Sequence, residues 1–243
     1  MATGDLTYCF SYPFNFFLFI ITLVPIWFWL EFLLKEDPEP EPRTFILLAI
    51  ILGSLSAILS YYIEAGIFSR INDFNYLYYF LSAFVEEFLK FLVIFLFIFP
   101  TRYFDEPVDA MIYMGFSAIG FSFLETFSYL CNVFLEEMGS SNLYAYLMAL
   151  SLLRFFGANF LHLLASAIIG FGYGLSIKIR RVLPFMLSFI TASFLHFIYN
   201  LFIIKDDIRL YIFPILWAIF FIILIQFNIL KIKNDRMGTR ASN

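Results

Sequence analysis

Long apolar stretches recur along this chain, and they limit the folds that it can adopt. An α-helix needs about 20 mostly apolar residues to cross a lipid bilayer. Seven segments reach that length: 11–33, 44–65, 74–99, 108–134, 146–175, 182–204 and 210–231. Backbone polar groups in lipid must be satisfied within the segment, which favours helices. The sequence therefore predicts an all-α fold, a polytopic transmembrane helical bundle with about seven spans, and residues 1–243 as a single integral-membrane domain.

The composition agrees with a membrane protein and argues against other classes. Hydrophobic residues make up 62% of the chain and charged residues 14%, and the mean hydropathy is +0.87. The formal net charge of −4 and the lack of a basic face argue against nucleic acid as a partner. Membrane lipid is the expected partner. Because the loops between the predicted spans are too short for a soluble catalytic domain, any chemistry is expected within the helices or at their ends.

Basic residues in alternate loops predict the orientation of the spans. The side of the N-terminus carries three of them, and the opposite side carries ten. The first set is Arg70, Lys205 and Arg209, and the second is Lys35, Arg43, Arg102, Lys178, Arg180, Arg181, Lys231, Lys233, Arg236 and Arg240. Since cytoplasmic loops hold the excess of Lys and Arg, we expect the N-terminus outside the cell membrane and the C-terminus in the cytoplasm. The acidic, proline-bearing first loop, residues 35–43, is expected to be solvated.

The third predicted span carries charged side chains that are costly in a membrane. Each of Glu86, Glu87 and Lys90 costs about 2.5 to 3.5 kcal/mol at the bilayer centre, so such groups usually face the bundle interior and mark a functional site. Lys90 lies four residues after Glu86 and three after Glu87, so one lysine can meet both carboxylates. One positive charge cannot neutralise two carboxylates. The second acid is therefore expected to hold a proton or to find a partner on another helix, as a general acid or base does.

Three further polar residues lie at a similar depth in other predicted spans. With a rise of about 1.5 Å per residue, Glu125, His162 and His196 fall in the same layer as Glu86. The two histidines are the only ones in the chain. This shared depth predicts one site built from four helices.

Other residues are placed to support that layer. Tyr129 lies four residues after Glu125, and Arg154 lies two turns before His162, where it can pair with Glu125 or Asp109. Asn200 lies four residues after His196 and can orient the imidazole or donate to an oxyanion. Small residues on the fourth predicted span permit close helix packing; they are Gly115, Ser117, Ala118, Gly120 and Ser122.

These motifs, taken in order, resemble those of the PrsW family of intramembrane proteases over about residues 35–204. The first three are Glu86-Glu87-x-x-Lys90, Phe104-Asp105-Glu106-Pro107-x-Asp109-Ala110-x-x-Tyr113 and Gly120-Phe121-x-x-x-Glu125-x-x-x-Tyr129. Arg154 with His162, Gly170-Phe171-Gly172-Tyr173-Gly174 and His196-x-x-x-Asn200 follow. Thr126 departs from the family, which usually has Asn after the glutamate. The wider clan includes the CAAX-processing and bacteriocin-processing membrane proteases.

The resemblance implies an enzyme, an endopeptidase that cleaves membrane-anchored proteins such as anti-sigma factors. It implies Glu86, Glu87, His162 and His196 as catalytic residues, with a glutamate activating a water that His162 also holds. Lys90, Glu125, Tyr129, Arg154 and Asn200 would support them. The clan is thought to act without an obligatory metal, so no cofactor is expected.

Two alternatives remain open from the residues themselves. A zinc ion held by His162, His196 and Glu87 is geometrically allowed, although each imidazole would come from a different helix. The chain could also be a non-enzymatic membrane protein, either a proton or ion pathway built from buried carboxylates and histidines or a catalytically silent scaffold.

Overall fold

Helices form the elements of the computed structural model, which describes residues 15–36, 40–67 and 76–204 together with Leu216 and Ile219. In chain order they are α1 (Asn15–Glu36), α2 (Arg43–Ile67), α3 (Tyr76–Phe97), α4 (Asp109–Glu136), α5 (Leu143–Arg154), a π-helical turn (Phe155–Asn159), α6 (Phe160–Ile179) and α7 (Leu183–Ile204). The turn joins α5 and α6 into one continuous helical segment. The prediction of an all-α polytopic bundle is confirmed.

Six of the seven predicted spans coincide with helices in the described part of the chain. Five helical segments are long and apolar enough to cross a membrane: Phe16–Lys35, Arg43–Gly66, Asp109–Glu136, Leu143–Ile179 and Leu183–Ile203. Helix α3 has a comparable length of 22 residues but carries three ionisable side chains near its middle. The seventh predicted span, 210–231, lies outside the described residues except for Leu216 and Ile219, so the number of spans stays a prediction.

Helix α4 lies at the centre of the bundle, where it packs against α1, α2 and α6. Its contact with α2 is close because glycines face backbone there. A Cβ atom added at Gly120 would collide with the carbonyl oxygen of Ile50, and one added at Gly53 would collide with that of Ser117. The Ser54 hydroxyl then donates to the Gly120 carbonyl over 3.1 Å. The predicted close packing through small residues of α4 is therefore present, and it holds Glu125 at a defined position.

Glycines on α6 bring α4 and α7 equally close. A Cβ at Gly170 would clash with the backbone of Ala110, and one at Gly172 would clash with the side chain of Ser188 on α7. Helix α3 also packs against α7, where the ring centroid of Phe91 lies 4.6 Å from that of Phe185. The helices that carry Glu86, Glu125, His162 and His196 are therefore mutually packed.

Buried acids also occur at the end of the bundle where α4 begins. The Asp109 carboxylate accepts hydrogen bonds from the backbone N–H groups of Asp105 at 3.0 Å and Glu106 at 2.7 Å. The Tyr113 hydroxyl donates to Glu41 over 2.5 Å. We call these five residues the acidic corner. The expectation that the first loop is solvated is wrong for Glu41, which is only 8% exposed because α4 supplies it with a hydrogen-bond donor.

Candidate active site

The Glu87 carboxylate on α3 lies close to side chains from two other helices, α6 and α7. Its Oε1 atom accepts from the Lys90 ammonium at 2.6 Å and lies 2.9 Å from Nδ1 of His196 on α7. Nδ1 of His162 on α6 lies 4.0 Å from the same oxygen. Glu87 and Lys90 are both fully buried. Because one buried oxygen receives a cation and an imidazole, Glu87 organises the site.

The contacts of His162 define its protonation pattern. Nδ1 lies 3.1 Å from the Lys90 ammonium, and Nε2 lies 2.8 Å from Oε2 of Glu125. An ammonium only donates hydrogen bonds, and an ionised carboxylate only accepts them. Both contacts are therefore satisfied by a neutral imidazole that carries its proton on Nε2, donates it to Glu125 and accepts from Lys90 at Nδ1.

His196 has the opposite arrangement. Its Nδ1 is the nitrogen that approaches the Glu87 carboxylate, so Nδ1–H is the donor and Nε2 retains its lone pair. Nε2 lies 3.7 Å from Oε2 of Glu86. That distance is longer than a direct hydrogen bond. The two atoms face each other without bonding.

Glu86 is the less satisfied of the two adjacent glutamates. It is 4% exposed, and its Oε1 atom has a long contact of 3.5 Å with the Ser82 hydroxyl. Its Oε2 atom has no hydrogen-bond partner within the described part of the chain. A buried acceptor without a donor is unusual in folded proteins and calls for an explanation such as a catalytic role or a bound water or ion.

Glu125 is held on its other side by the helix that precedes the π-helical turn. The Arg154 guanidinium forms an ion pair with its Oε2 atom at 2.6 Å and donates to the Thr126 hydroxyl at 3.0 Å. Thr126 in turn donates to Oδ1 of Asn159 over 2.6 Å. The guanidinium also lies over the ring of Tyr129, 4.8 Å from its centroid.

The residues that the sequence placed in one layer do lie together. We call this group, Glu86, Glu87, Lys90, Glu125, His162 and His196, the polar layer. The contacts decide two points that the spacing left open. Lys90 bonds to Glu87 and His162, although the spacing allowed it to meet both adjacent glutamates. Arg154 pairs with Glu125 and not with Asp109.

Tyr129 and Asn200 have more peripheral positions than the other predicted residues. Tyr129 packs on Arg154, so it supports the layer through that side chain. Asn200 is half-buried one turn beyond His196. His196 takes its orientation from Glu87, a residue on a different helix.

Sequence reasoning gave no role in the site to four residues that lie beside the polar layer or beside its partner Arg154. The Glu64 carboxyl group on α2 lies close to Ser82 and Glu86. Thr126 accepts from Arg154 and donates to Asn159. Glu64 lies one residue before the end of the predicted span 44–65, and an acidic residue inside an apolar span could have indicated a role in the site. The other three are uncharged, and hydropathy gives no indication of their role.

The polar layer contains a donor set suited to a metal ion. Glu86, His162 and His196 each offer one ligand atom, and these atoms lie within 4.8 Å of one another. Two imidazoles and one carboxylate are a known ligand set of catalytic zinc, and the unbonded Oε2 atom of Glu86 is consistent with it. The alternative set from the sequence contained Glu87. The structure places Glu86 in that set, and Oε1 of Glu87 contacts Lys90 and His196.

The comparisons with known proteins all match this chain to members of one family. A family model described as PrsW family intramembrane metalloprotease matches residues 41–225, which include the whole polar layer. A protein named Protease PrsW from Geobacillus kaustophilus is 30% identical over 177 residues, 70% of this chain and 71% of the relative. Proteins of the same name from Oceanobacillus iheyensis and Bacillus subtilis are 31% and 28% identical, over 72% and 70% of this chain and 77% and 74% of their own lengths. No solved structure matches the chain.

Proposed function

This chain belongs to the PrsW family of intramembrane metalloproteases, and from that premise we propose that the polar layer hydrolyses a peptide bond in membrane-anchored proteins. Family membership makes the chain a peptidase, and its apolar helices make it an integral membrane protein. The resemblance of its motifs to the family supports substrates of the anti-sigma-factor kind. The distribution of basic residues supports cleavage near the outer face of the cell membrane, with the N-terminus outside.

The mechanism begins at the gap between Oε2 of Glu86 and Nε2 of His196. Both atoms are acceptors without a donor of their own in the arrangement described above, so a water oxygen within reach of both can donate one hydrogen to each. Glu86 then removes a proton as the water oxygen attacks the carbonyl carbon of the substrate. When the C–N bond breaks, the same carboxyl group returns that proton to the leaving amine.

The remaining residues prepare this step. Glu87 holds His196 through Nδ1, which directs the Nε2 lone pair of that imidazole towards Glu86. Lys90 balances the charge of Glu87 in the buried interior. Asn200 on α7, whose side-chain amide can donate a hydrogen bond, is the candidate for stabilising the oxyanion.

The candidate metal site overlaps this arrangement. Glu86, His162 and His196 would hold the ion, and a bound metal would act as a Lewis acid that polarises the substrate carbonyl and lowers the pKa of water. The proton transfers above describe the chain without a bound ion, because a Glu86 oxygen that held a metal would not also act as the base.

One observation carries the proposal: a buried carboxylate oxygen of Glu86 without a partner faces an imidazole nitrogen at 3.7 Å. We expect Glu86→Gln to lower cleavage by about 10²- to 10⁴-fold. The measurement is cleavage of a single-span protein substrate by purified protein in liposomes. Glu137→Gln, an exposed change beyond α4, is the matched control.

The same preparation separates the rival functions. Retained cleavage by Glu86→Gln would refute the assignment of the base. A proton or ion pathway predicts flux into liposomes without cleavage by the unmodified protein, and a silent scaffold predicts neither.

A further inference from the structure

We infer that Glu125 is a positioning residue that selects the tautomer of His162, and that Arg154 holds it in place for this task. The inference deepens the proposed function and rests on it. It concerns which nitrogen of His162 is presented to the reacting groups. It is carried by the hydrogen bonds of the buried imidazole and by the shape of the helix that bears it.

Both nitrogens of His162 have neighbours of fixed polarity. On one side Lys90 offers only donors, and on the other Glu125 offers only acceptors. The tautomer with the proton on Nδ1 would direct N–H at an ammonium and leave the Nε2 lone pair facing a carboxylate. Glu125 therefore keeps the proton on Nε2. Nδ1 is thereby directed towards Lys90 and Glu87, the side on which Glu86 and His196 lie.

The carboxylate of Glu125 needs a fixed position to do this, and Arg154 provides it. The Arg154 guanidinium and Nε2 of His162 both contact the same oxygen, at 2.6 Å and 2.8 Å. The guanidinium is itself fixed by Thr126 and by the ring of Tyr129. With its one oxygen shared between two donors, the Glu125 carboxylate cannot turn away from the imidazole without losing the ion pair.

The π-helical turn explains how one helical segment supplies both donors. Arg154 and His162 are eight residues apart, so in a regular α-helix their side chains would point about 80° apart. The turn Phe155–Asn159 lies between them. A π turn contains one more residue than an α turn, which removes roughly 100° of that rotation and returns both side chains to one face.

Packing around the turn supports a positional role. The Trp29 ring on α1 stacks on Phe160 at the end of the turn, with centroids 5.2 Å apart. It also contacts Phe155 at the start of the turn, at 5.4 Å. Trp29 is buried. The Trp29 side chain therefore packs against both ends of the turn from outside, and Glu125 accepts from Arg154 and His162 on the inner side.

The test reads the tautomer directly. The chain contains only two histidines, so ¹⁵N-histidine labelling of the full chain in detergent gives two imidazoles whose two-bond ¹H–¹⁵N correlations distinguish the tautomers. His196→Gln identifies the signals that belong to His162. We expect His162 to be neutral with its proton on Nε2 in the unmodified protein.

Matched variants of Glu125 test its part. Glu125→Gln keeps an acceptor for the imidazole, so the tautomer is expected to persist. Glu125→Leu combined with Arg154→Leu removes the acceptor without leaving a buried guanidinium unpaired. In that double variant only Lys90 still favours the proton on Nε2, so we expect a mixture of the two tautomers, and kcat to fall by about 10- to 100-fold with little change in KM. Glu137→Gln should change neither the spectrum nor the rate.

The outcomes separate this inference from the proposed function. Nε2 protonation that persists in the double variant, or Nδ1 protonation in the unmodified protein, overturns the inference whether or not cleavage occurs. If the unmodified protein does not cleave, the proposed function fails, and the spectra still decide which residue sets the tautomer. If the double variant does not fold, Glu125→Met decides the question by the same spectra.

Discussion

The polar layer and the acidic corner both bury carboxylates against α4, yet they differ in how fully those carboxylates are satisfied. Asp109 in the acidic corner and Glu125 in the polar layer are 16 residues apart on the same helix, which is about 24 Å. In the corner, Asp109 accepts two backbone N–H groups and Glu41 accepts a tyrosine hydroxyl. In the layer, Glu86 and Glu87 each keep an oxygen without a donor in the described ranges.

The difference separates carboxylates that stabilise the fold from carboxylates that are available for chemistry. A buried carboxylate with matched donors ties a loop to a helix through its hydrogen bonds. A buried carboxylate with an open oxygen is costly for stability, and it is retained where that oxygen acts. Changes in the layer are therefore expected to affect cleavage, and changes in the corner are expected to affect stability alone.

A change at Glu87 is expected to lower both the stability of the protein and its cleavage activity. Glu87→Gln removes the countercharge of the buried Lys90 and replaces the carboxylate that accepts from His196 with a neutral amide. Breaking a buried ion pair costs about 3–5 kcal/mol, so we expect a large loss of stability together with a loss of cleavage of more than about 100-fold. Thermal unfolding in detergent and the liposome assay measure the two effects. A Glu87→Gln protein with unchanged stability would show that Glu87 does not organise the site.

Metal binding tests whether the polar layer holds an ion. We expect zinc supplied to the chelator-treated protein to bind stoichiometrically, and His196→Gln to weaken its binding by at least about 10-fold because one of three protein ligands is lost. Glu41→Gln in the acidic corner should bind zinc as the unmodified protein does. Elemental analysis after dialysis against graded zinc concentrations measures the affinity. Equal zinc binding by both variants would place the metal outside the polar layer.

The acidic corner should show the opposite pattern. Tyr113→Phe removes one hydrogen bond to the buried Glu41 carboxylate, and a hydrogen bond to a charged group contributes about 1.5–3 kcal/mol. We expect a lower unfolding temperature and an unchanged cleavage rate at temperatures where the protein remains folded. Tyr103→Phe is the control, because the Tyr103 hydroxyl meets Arg102 at the exposed surface. A slower cleavage step in Tyr113→Phe would mean that the corner communicates with the layer.

Much of the fold could be predicted from hydropathy and spacing, because spans of apolar residues in lipid have few alternatives to helices. The contact between Glu87 and Lys90 follows from a spacing of three residues. Which of the adjacent glutamates would bind His196 could not be predicted, since it depends on how α3 and α7 face each other. The Tyr113–Glu41 bond joins residues 72 apart in the chain, and it requires the packed bundle.

The π-helical turn shows a different limit of sequence reasoning. Regular helical periodicity places Arg154 and His162 on different faces, about 80° apart. The structure nevertheless brings both to Glu125. The local sequence has no periodicity that indicates an extra residue in one turn. The contact that both side chains make with Glu125 is therefore visible only in the folded structure.

The smallest expected effect concerns Ser82, the neighbour of the open carboxylate. Its hydroxyl lies 3.5 Å from Oε1 of Glu86, at the outer limit of a hydrogen bond, so it restrains the carboxylate weakly. We expect Ser82→Ala to lower kcat by less than about 10-fold, since a hydrogen bond contributes about 0.5–1.5 kcal/mol, without changing the unfolding temperature measurably. Ser60→Ala is the control, because that hydroxyl bonds only to the Ala57 carbonyl of its own helix among the described contacts. A loss as large as that of Glu86→Gln would mean that Ser82 acts on the reacting groups, and the contrast between open and satisfied carboxylates would then have to include the hydroxyl as a catalytic residue.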